Sequence, residues 1–237
     1  MNHQVVILAG GLATRLGKLV KNIPKSLIDI NGTPFIIHQM NYLRSQGIND
    51  VHLCLGHKYE LIIDTINNHT ELEMNITYSI DGEKLLGTGG AIIKALPYLK
   101  EVFFLQYGDV YLPVNYNKIY NFYSANGYRS VMTIYKNNNK YDNSNIILKG
   151  DKIVLYDKEL NDPRMNCIDY GLSLLKKDSF LEHSMSDFLD LSNIYKLLIE
   201  QNKMIGYEVS ERFYEIGKPE GIRETEEYLK SEILQYN

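Results

Sequence analysis

The sequence predicts an α/β fold built on a mainly parallel sheet, and three observations predict it. Apolar, β-favouring runs alternate with helical-period segments through the first half of the chain. Residues 5–8, 51–55 and 102–107 are apolar almost throughout, as strands covered on both faces are. Glycine-bearing turns then follow the runs at Gly10-Gly11 and Gly108-Asp109, and glycines recur over residues 87–90. In open parallel sheets ligands sit beyond the carboxyl ends of the strands, and all three glycine sites satisfy that rule.

Taken in order, residues 5–8 form the first strand, and residues 27–30 a short one ending at the turn signal Asn31-Gly32. Thr33-Pro34 starts a helix through about Gln46, with Phe35, Ile36, Gln39, Met40 and Leu43 on one face and Gly47 at its end. A strand over 51–55 is followed by a helix over 58–68 with the stripe Leu61, Ile62, Thr65 and Ile66. Residues 74–80 alternate as a strand. A second glycine loop, 86–91, leads into a helix over 91–96 that Pro97 ends. The strand over 102–107 comes next. Residues 116–126 read as a helix, 130–135 as a strand and 136–144 as a polar loop, either plain surface or a lid. Residues 145–149 and 152–156 make a hairpin about Gly150-Asp151, and 166–175 a strand. Ser186-Asp187 precedes a helical stretch to about Gln201. A strand over 205–209 and a helix opened by Pro219 and running to 234 complete the chain.

Length and composition bound the function. The 237 residues suffice for one domain with a sizeable core, divided into halves 1–110 and 111–237, and no repeat or linker interrupts them. A net charge of -4 gives no general attraction to nucleic acid, so a polyanion must be met by a local cluster. Cys54 and Cys167 read as reduced, buried thiols, and no Cys/His set has zinc spacing. With no apolar run long enough for a membrane span and no leader, the expectation is a cytoplasmic protein, a monomer or homodimer.

The candidate site starts at the first strand. Gly10 and Gly11 expose amide N–H groups that suit phosphate oxygens; alone, the doublet serves equally as a tight turn. Arg15 and Lys25 add two cations, which turns the loop into a polyphosphate site. It is neither a Walker loop nor Gly-x-Gly-x-x-Gly. Asp109, closing an apolar strand, is either a local cap or a Mg²⁺ ligand beside phosphates, with Glu215 as the second carboxylate.

These residues resemble a known family. Leu8-Ala9-Gly10-Gly11-Leu12-Ala13-Thr14-Arg15-Leu16, Pro24-Lys25-Ser26-Leu27, Leu86-Gly87-Thr88-Gly89-Gly90-Ala91, Gly108-Asp109 and Tyr214-Glu215-Ile216-Gly217-Lys218-Pro219-Glu220-Gly221 are similar to the signatures of sugar-1-phosphate nucleotidyltransferases, in that order. The likeness runs nearest to bacterial heptose-1-phosphate and mannose-1-phosphate guanylyltransferase-like enzymes. It implies a Rossmann-like, GT-A-like three-layer α/β/α sandwich. It also implies attack by a sugar 1-phosphate oxygen on the α-phosphate of a nucleoside triphosphate, giving an NDP-sugar and pyrophosphate for surface polysaccharide.

By that resemblance Leu8, Ala9, Gly10, Gly11, Gly87, Thr88, Gly89 and Gly90 bind the nucleotide. Arg15 gathers the β- and γ-phosphates, Lys25 sits at the α-phosphate, and Asp109 and Glu215 hold Mg²⁺. Asp157, Lys158, Asp169, Tyr170 and Gly171 bind the acceptor. Asp169 stands where Asn is frequent, Glu215 where many relatives carry Asp, and Ala13 and Ser26 are further departures. GTP is the favoured nucleotide. Cytidylyl or uridylyl transfer to a sugar, polyol or other small phosphate is the alternative, and a non-catalytic nucleotide-binding subunit a remoter one. The length leaves no room for a fused acyltransferase domain.

Overall fold

The computed structural model describes residues 3–11, 23–82, 86–181 and 188–235. Its strands and helices in chain order are β1 (Gln4–Leu8), β2 (Asp29–Ile30), β3 (Thr33–Pro34), α1 (Phe35–Ser45), β4 (Asp50–Leu55), α2 (Tyr59–Asn67), β5 (Asn75–Ile80) and α3 (Gly87–Ala95). There follow β6 (Val102–Tyr107), β7 (Val110–Tyr111), α4 (Tyr116–Ala125), β8 (Ser130–Tyr135), β9 (Ile146–Lys149), β10 (Lys152–Tyr156) and β11 (Ile168–Lys176). The chain closes with α5 (Leu191–Glu200), β12 (Met204–Val209), β13 (Tyr214–Glu215) and α6 (Pro219–Gln235).

Seven strands form one sheet in the order β12-β8-β11-β6-β1-β4-β5. β1 pairs in parallel with β4 and β6, β4 with β5, and β8 with β12; β11 runs antiparallel to both β6 and β8. The carboxyl ends of six strands and the amino end of β11 therefore share one edge.

Strand alternation divides the core into two layers. Val5 and Ile7 pack on the side of α1, α2 and α4, with Ile36, Met40, Ile62, Ile66 and Ile119. Val6 packs on the other side with Ile92 of α3 and Ile194 and Leu198 of α5. Each such side chain contributes about 1.5–3 kcal/mol by leaving water. This is the expected α/β fold with helices on both faces of a mixed, mainly parallel sheet. A smaller cluster of Ile28, Ile30, Phe35, Tyr111, Ile216 and Leu229 docks α6 beneath the short β2–β3 and β7–β13 ribbons.

The structure corrects several local expectations. Residues 25–27 make a 3₁₀ turn, closed by the Leu27 and Ile28 amides donating to the Pro24 and Lys25 carbonyls, so the strand expected over 27–30 shrinks to β2. Thr33-Pro34 pairs with β2 across Asn31-Gly32, and the helix begins one residue beyond Pro34. Leu61 is exposed, leaving Ile62 and Ile66 as the buried stripe of α2. Residues 87–90 are the first turn of α3 and not a loop. The 136–144 segment is tied internally. Asn137 donates to the Asp142 carbonyl and to Ser144 Oγ, and the Tyr141 amide donates to Asn137 Oδ1. Its Tyr141 ring lies 3.8 Å from the Arg212 guanidinium, so the loop packs on the segment leading to β13.

Candidate active site

At the shared edge the chain's own backbone makes the floor. The Ala9 amide donates to the Cys54 carbonyl at 2.9 Å and the Gly108 amide to the Leu8 carbonyl at 3.0 Å, which draws the ends of β1, β4 and β6 together. A Cβ at position 108 would stand 2.6 Å from the Leu8 oxygen, so this approach requires glycine. Above the floor opens a cleft of about 280 Å³, the small end of the range for ligand pockets. Leu8, Ala9, Gly10, Gly11, Gly87, Thr88, Lys25 and Asp109 all line it. Gly89 and Gly90 do not, because their amides donate inward to the Leu189 carbonyl, at 2.8 and 3.3 Å. Arg15 lies outside the described residues.

The charged centre forms where three distant segments meet. Lys25 Nζ donates to Asp109 Oδ2 at 2.7 Å. β13 pairs with β7 so that Glu215 stands opposite Val110, and the Ile216 amide donates to the Asp109 carbonyl at 3.0 Å. Glu215 Oε2 accepts the Gly217 amide at 2.8 Å. Burial raises the Glu215 carboxyl above the usual carboxylate range and the nearby Asp109 adds to this, against the Gly217 amide, Lys25 and Lys218. Two carboxylates that repel one another beside a desolvated wall form a donor set suited to a hard divalent cation. Residues 107–110 are held from below by Gln39, whose Nε2 donates to the Val110 carbonyl at 2.8 Å and the Tyr107 carbonyl at 3.3 Å.

The candidate acceptor residues separate. At the start of β11, Asp169 Oδ1 accepts the Gly171 amide at 3.0 Å, while Oδ2 accepts Tyr156 OH at 3.5 Å and lies 3.8 Å from Lys158 Nζ. Lys158 Nζ also donates to Tyr107 OH at 3.3 Å. Tyr107 thus joins this group to Asp109, two residues along. Its hydroxyl is pushed well above its ordinary pKa, first by burial and then by Asp169, Asp190 and Asp109. Asp157 and Tyr170 do not join the group. Asp157 pairs with Lys196 at 2.6 Å and accepts the Glu159 and Leu160 amides, which lowers its carboxyl to about 2. Tyr170 is buried in the helical-face core with its hydroxyl on the Arg212 carbonyl at 3.3 Å.

The sequence reading passed over Gln39, Tyr107 and Tyr156, and also Asp81 and Phe188. Asp81 follows β5 and lines the far end of the cleft. Its half-buried carboxyl is raised by burial, against the Leu86 amide and Lys94. The signal for Gln39 was a polar residue on an otherwise apolar helix face. For Asp81 it was a carboxylate ending an alternating strand at the ligand edge.

Known proteins share this architecture. Residues 4–154 match the family described as Nucleotidyl transferase. Over 219 residues the chain is 29% identical to the D-glycero-alpha-D-manno-heptose 1-phosphate guanylyltransferase of Campylobacter jejuni, covering 92% of this chain and 96% of that protein. It is 25% identical over 239 residues to the mannose-1-phosphate guanyltransferase of Saccharomyces cerevisiae, covering 98% of this chain but 64% of the yeast protein. The crystal structure of HddC from Yersinia pseudotuberculosis complexed with GMP-PN superposes with a TM-score of 0.77 at 26% identity, over 96% of this chain and 99% of that one. With a match that spans more than half of its length and a fold shared end to end, the chain belongs to the nucleotidyl transferase family, and it is a nucleotidyltransferase.

Proposed function

We propose that the protein transfers a guanylyl group from GTP to a heptose- or hexose-1-phosphate, releasing pyrophosphate and forming a GDP-sugar for surface polysaccharide synthesis in the cytoplasm. The observation that carries this reading is the convergence of Lys25, Asp109 and Glu215 beside the Gly10-Gly11 backbone, with Lys158 and Asp169 reached through Tyr107. Such a site holds two phosphates toward each other, which is what transfer to a phosphate oxygen needs.

The acceptor phosphate takes Lys158 as its counter-ion, and its oxygen attacks the α-phosphorus in line with the departing pyrophosphate. Lys25 faces the α-phosphate, where it neutralises charge in the transition state. Arg15 is assigned the β- and γ-phosphates. The Gly10 and Gly11 amides hold the phosphate chain without side chains in the way. Asp169 accepts an acceptor hydroxyl. Asp109 and Glu215 would hold Mg²⁺, which supplies neutralisation of phosphate charge when bound.

The preference for GTP is supported by Asp81 at the far end of the cleft. An ionised carboxylate only accepts hydrogen bonds, and through both oxygens. Guanine offers two adjacent donors, the N1–H and the 2-amino group, to such a partner. The names of the similar proteins from Campylobacter jejuni and Saccharomyces cerevisiae, both guanylyl- or guanyltransferases, point the same way.

The test is a matrix of the four ribonucleoside triphosphates against heptose, hexose and polyol phosphates, scored by pyrophosphate release with Mg²⁺. Fastest turnover with GTP and a heptose- or hexose-1-phosphate is expected. Faster turnover with CTP or UTP overturns the base assignment, and inactivity of every pair overturns the catalytic reading.

A further inference from the structure

Among the described residues Phe188 is the most exposed of the large hydrophobic side chains, at 70%, and of those exposed ones it alone lines the cleft. Its backbone is far from loose. The Leu189 amide donates to the Leu86 carbonyl at 3.0 Å, the Leu189 carbonyl takes the Gly89 and Gly90 amides, and the Leu191 amide donates to Thr88 Oγ1 at 2.9 Å. Residues 188–191 are strapped across the first turn of α3. The glycines of that turn are shaped for the strap. Gly87 has φ +77°, and a Cβ there would stand 2.5 Å from the Leu189 carbonyl oxygen and 3.1 Å from Phe188 Cε2. The main chain just beyond this aromatic residue is therefore held by bonds to α3, and the ring is left uncovered beside the Gly87 turn, in the cleft that Asp81 also lines. A pinned, solvent-facing aromatic face beside hydrogen-bonding groups is what a planar heteroaromatic ring needs for stacking.

We propose that Phe188 is the platform on which the nucleobase of the bound triphosphate stacks, and that the Gly87–Gly90 turn serves to seat this platform. The proposal rests on the reading that the triphosphate lies in this cleft. It does not depend on which base is carried, since every base has a π-face.

Two measurements test it, with the triphosphate that the wild-type enzyme turns over as titrant. Phe188→Ala raises KM for the triphosphate about tenfold, the loss of one base–aromatic stack, with the smaller share of the effect in kcat, and Phe188→Tyr restores KM to within about twofold. The chain has no tryptophan, so Phe188→Trp carries a single indole at the site. Its emission is quenched saturably by the triphosphate, with half-effect near KM, and is unmoved by inorganic tripolyphosphate. A KM for Phe188→Ala within twofold of wild type, or indole emission that stays constant while the same variant is saturated and turning over, overturns the proposal. A preference for a base other than guanine overturns the guanylyl assignment alone and leaves this test standing.

Discussion

At one end of the cleft, around β1, β4, β6 and α3, the walls are mostly main chain. Gly10, Gly11 and Gly108 bring backbone within reach of a ligand, and the amide and carbonyl groups at the strand ends are bonded to each other. Beside that cleft, around β11 and the β9–β10 hairpin, lies a group made of side chains, Lys158, Tyr107, Tyr156 and Asp169, linked by contacts of 3.3–3.8 Å, of which Tyr107 also lines the cleft. At Gly10 and Gly108 a Cβ would stand 3.1 and 2.6 Å from backbone atoms, so this part of the wall tolerates few substitutions, whereas Gly11 has open space around it. A side-chain wall is retuned by changing one residue. The first suits a part common to many triphosphates, the second a part that varies among acceptors.

Substitutions on either side of this divide have different signatures. The largest effect is expected from Lys25→Ala, with kcat reduced about 10³-fold and the melting temperature little changed; activity within tenfold of wild type removes Lys25 from the transition state. Gly87→Ala acts on folding. The unfavourable φ and the clash with the Leu189 carbonyl cost about 4 kcal/mol together, read by urea denaturation, and a loss under 1 kcal/mol breaks the backbone-wall account.

Acid is expected to act first beneath the backbone end. His52 of β4 is fully buried between Thr77 Oγ1 at 2.8 Å and Ser79 Oγ at 3.0 Å. Burial lowers its pKa from 6.5 to about 4. Between those values the unfolded chain takes up a proton that the folded chain refuses. The stabilisation is thus complete above pH 6.5 and is lost as pH falls toward 4, by about 3 kcal/mol. Urea curves at a series of pH values check this, since His52→Gln lacks the titrating group and has the shallower slope; parallel slopes contradict it. The smallest effect belongs to the side-chain end. Lys158→Ala raises KM for the acceptor phosphate about tenfold and leaves KM for the triphosphate within about twofold, and an equal rise in both dissolves the distinction between the ends.

Legibility in the sequence follows the same divide. Buried strands announce themselves through continuous apolar runs, so β1, β4 and β6 and the edge they share were readable. The Gly87–Gly90 turn was misread as a loop because glycine disfavours helix, while the carbonyl that completes its amides belongs to Leu189, about a hundred residues later. Asp157 was placed at the acceptor by resemblance, and its pairing with Lys196, 39 residues away, could not be read from sequence spacing. Tyr170 was readable in principle. Side chains alternate along a strand, so if Asp169 faces the cleft, Tyr170 faces the core. Gln39 shows the limit of periodicity, which places a residue on a face but does not reveal the carbonyls of Tyr107 and Val110 waiting there.

The β9–β10 hairpin has an evolutionary consequence. It forms a separate two-stranded sheet, and the main sheet closes without it. It is anchored by Ile146, Ile153 and Tyr156 in the α3–α5 layer, while Lys158 lies just past its second strand. The arrangement is modular. Asp151, whose carbonyl accepts the Gly206 amide of β12 at 2.8 Å, and Ile146, bridged to Cys167, tie the ribbon to the main sheet, so it is exchanges beyond Tyr156 that can accumulate without moving the register of β6, β8 or β11. Under the proposed function, new acceptors can then be sampled by drift in this ribbon without disturbing the pairing of Lys25 with Asp109.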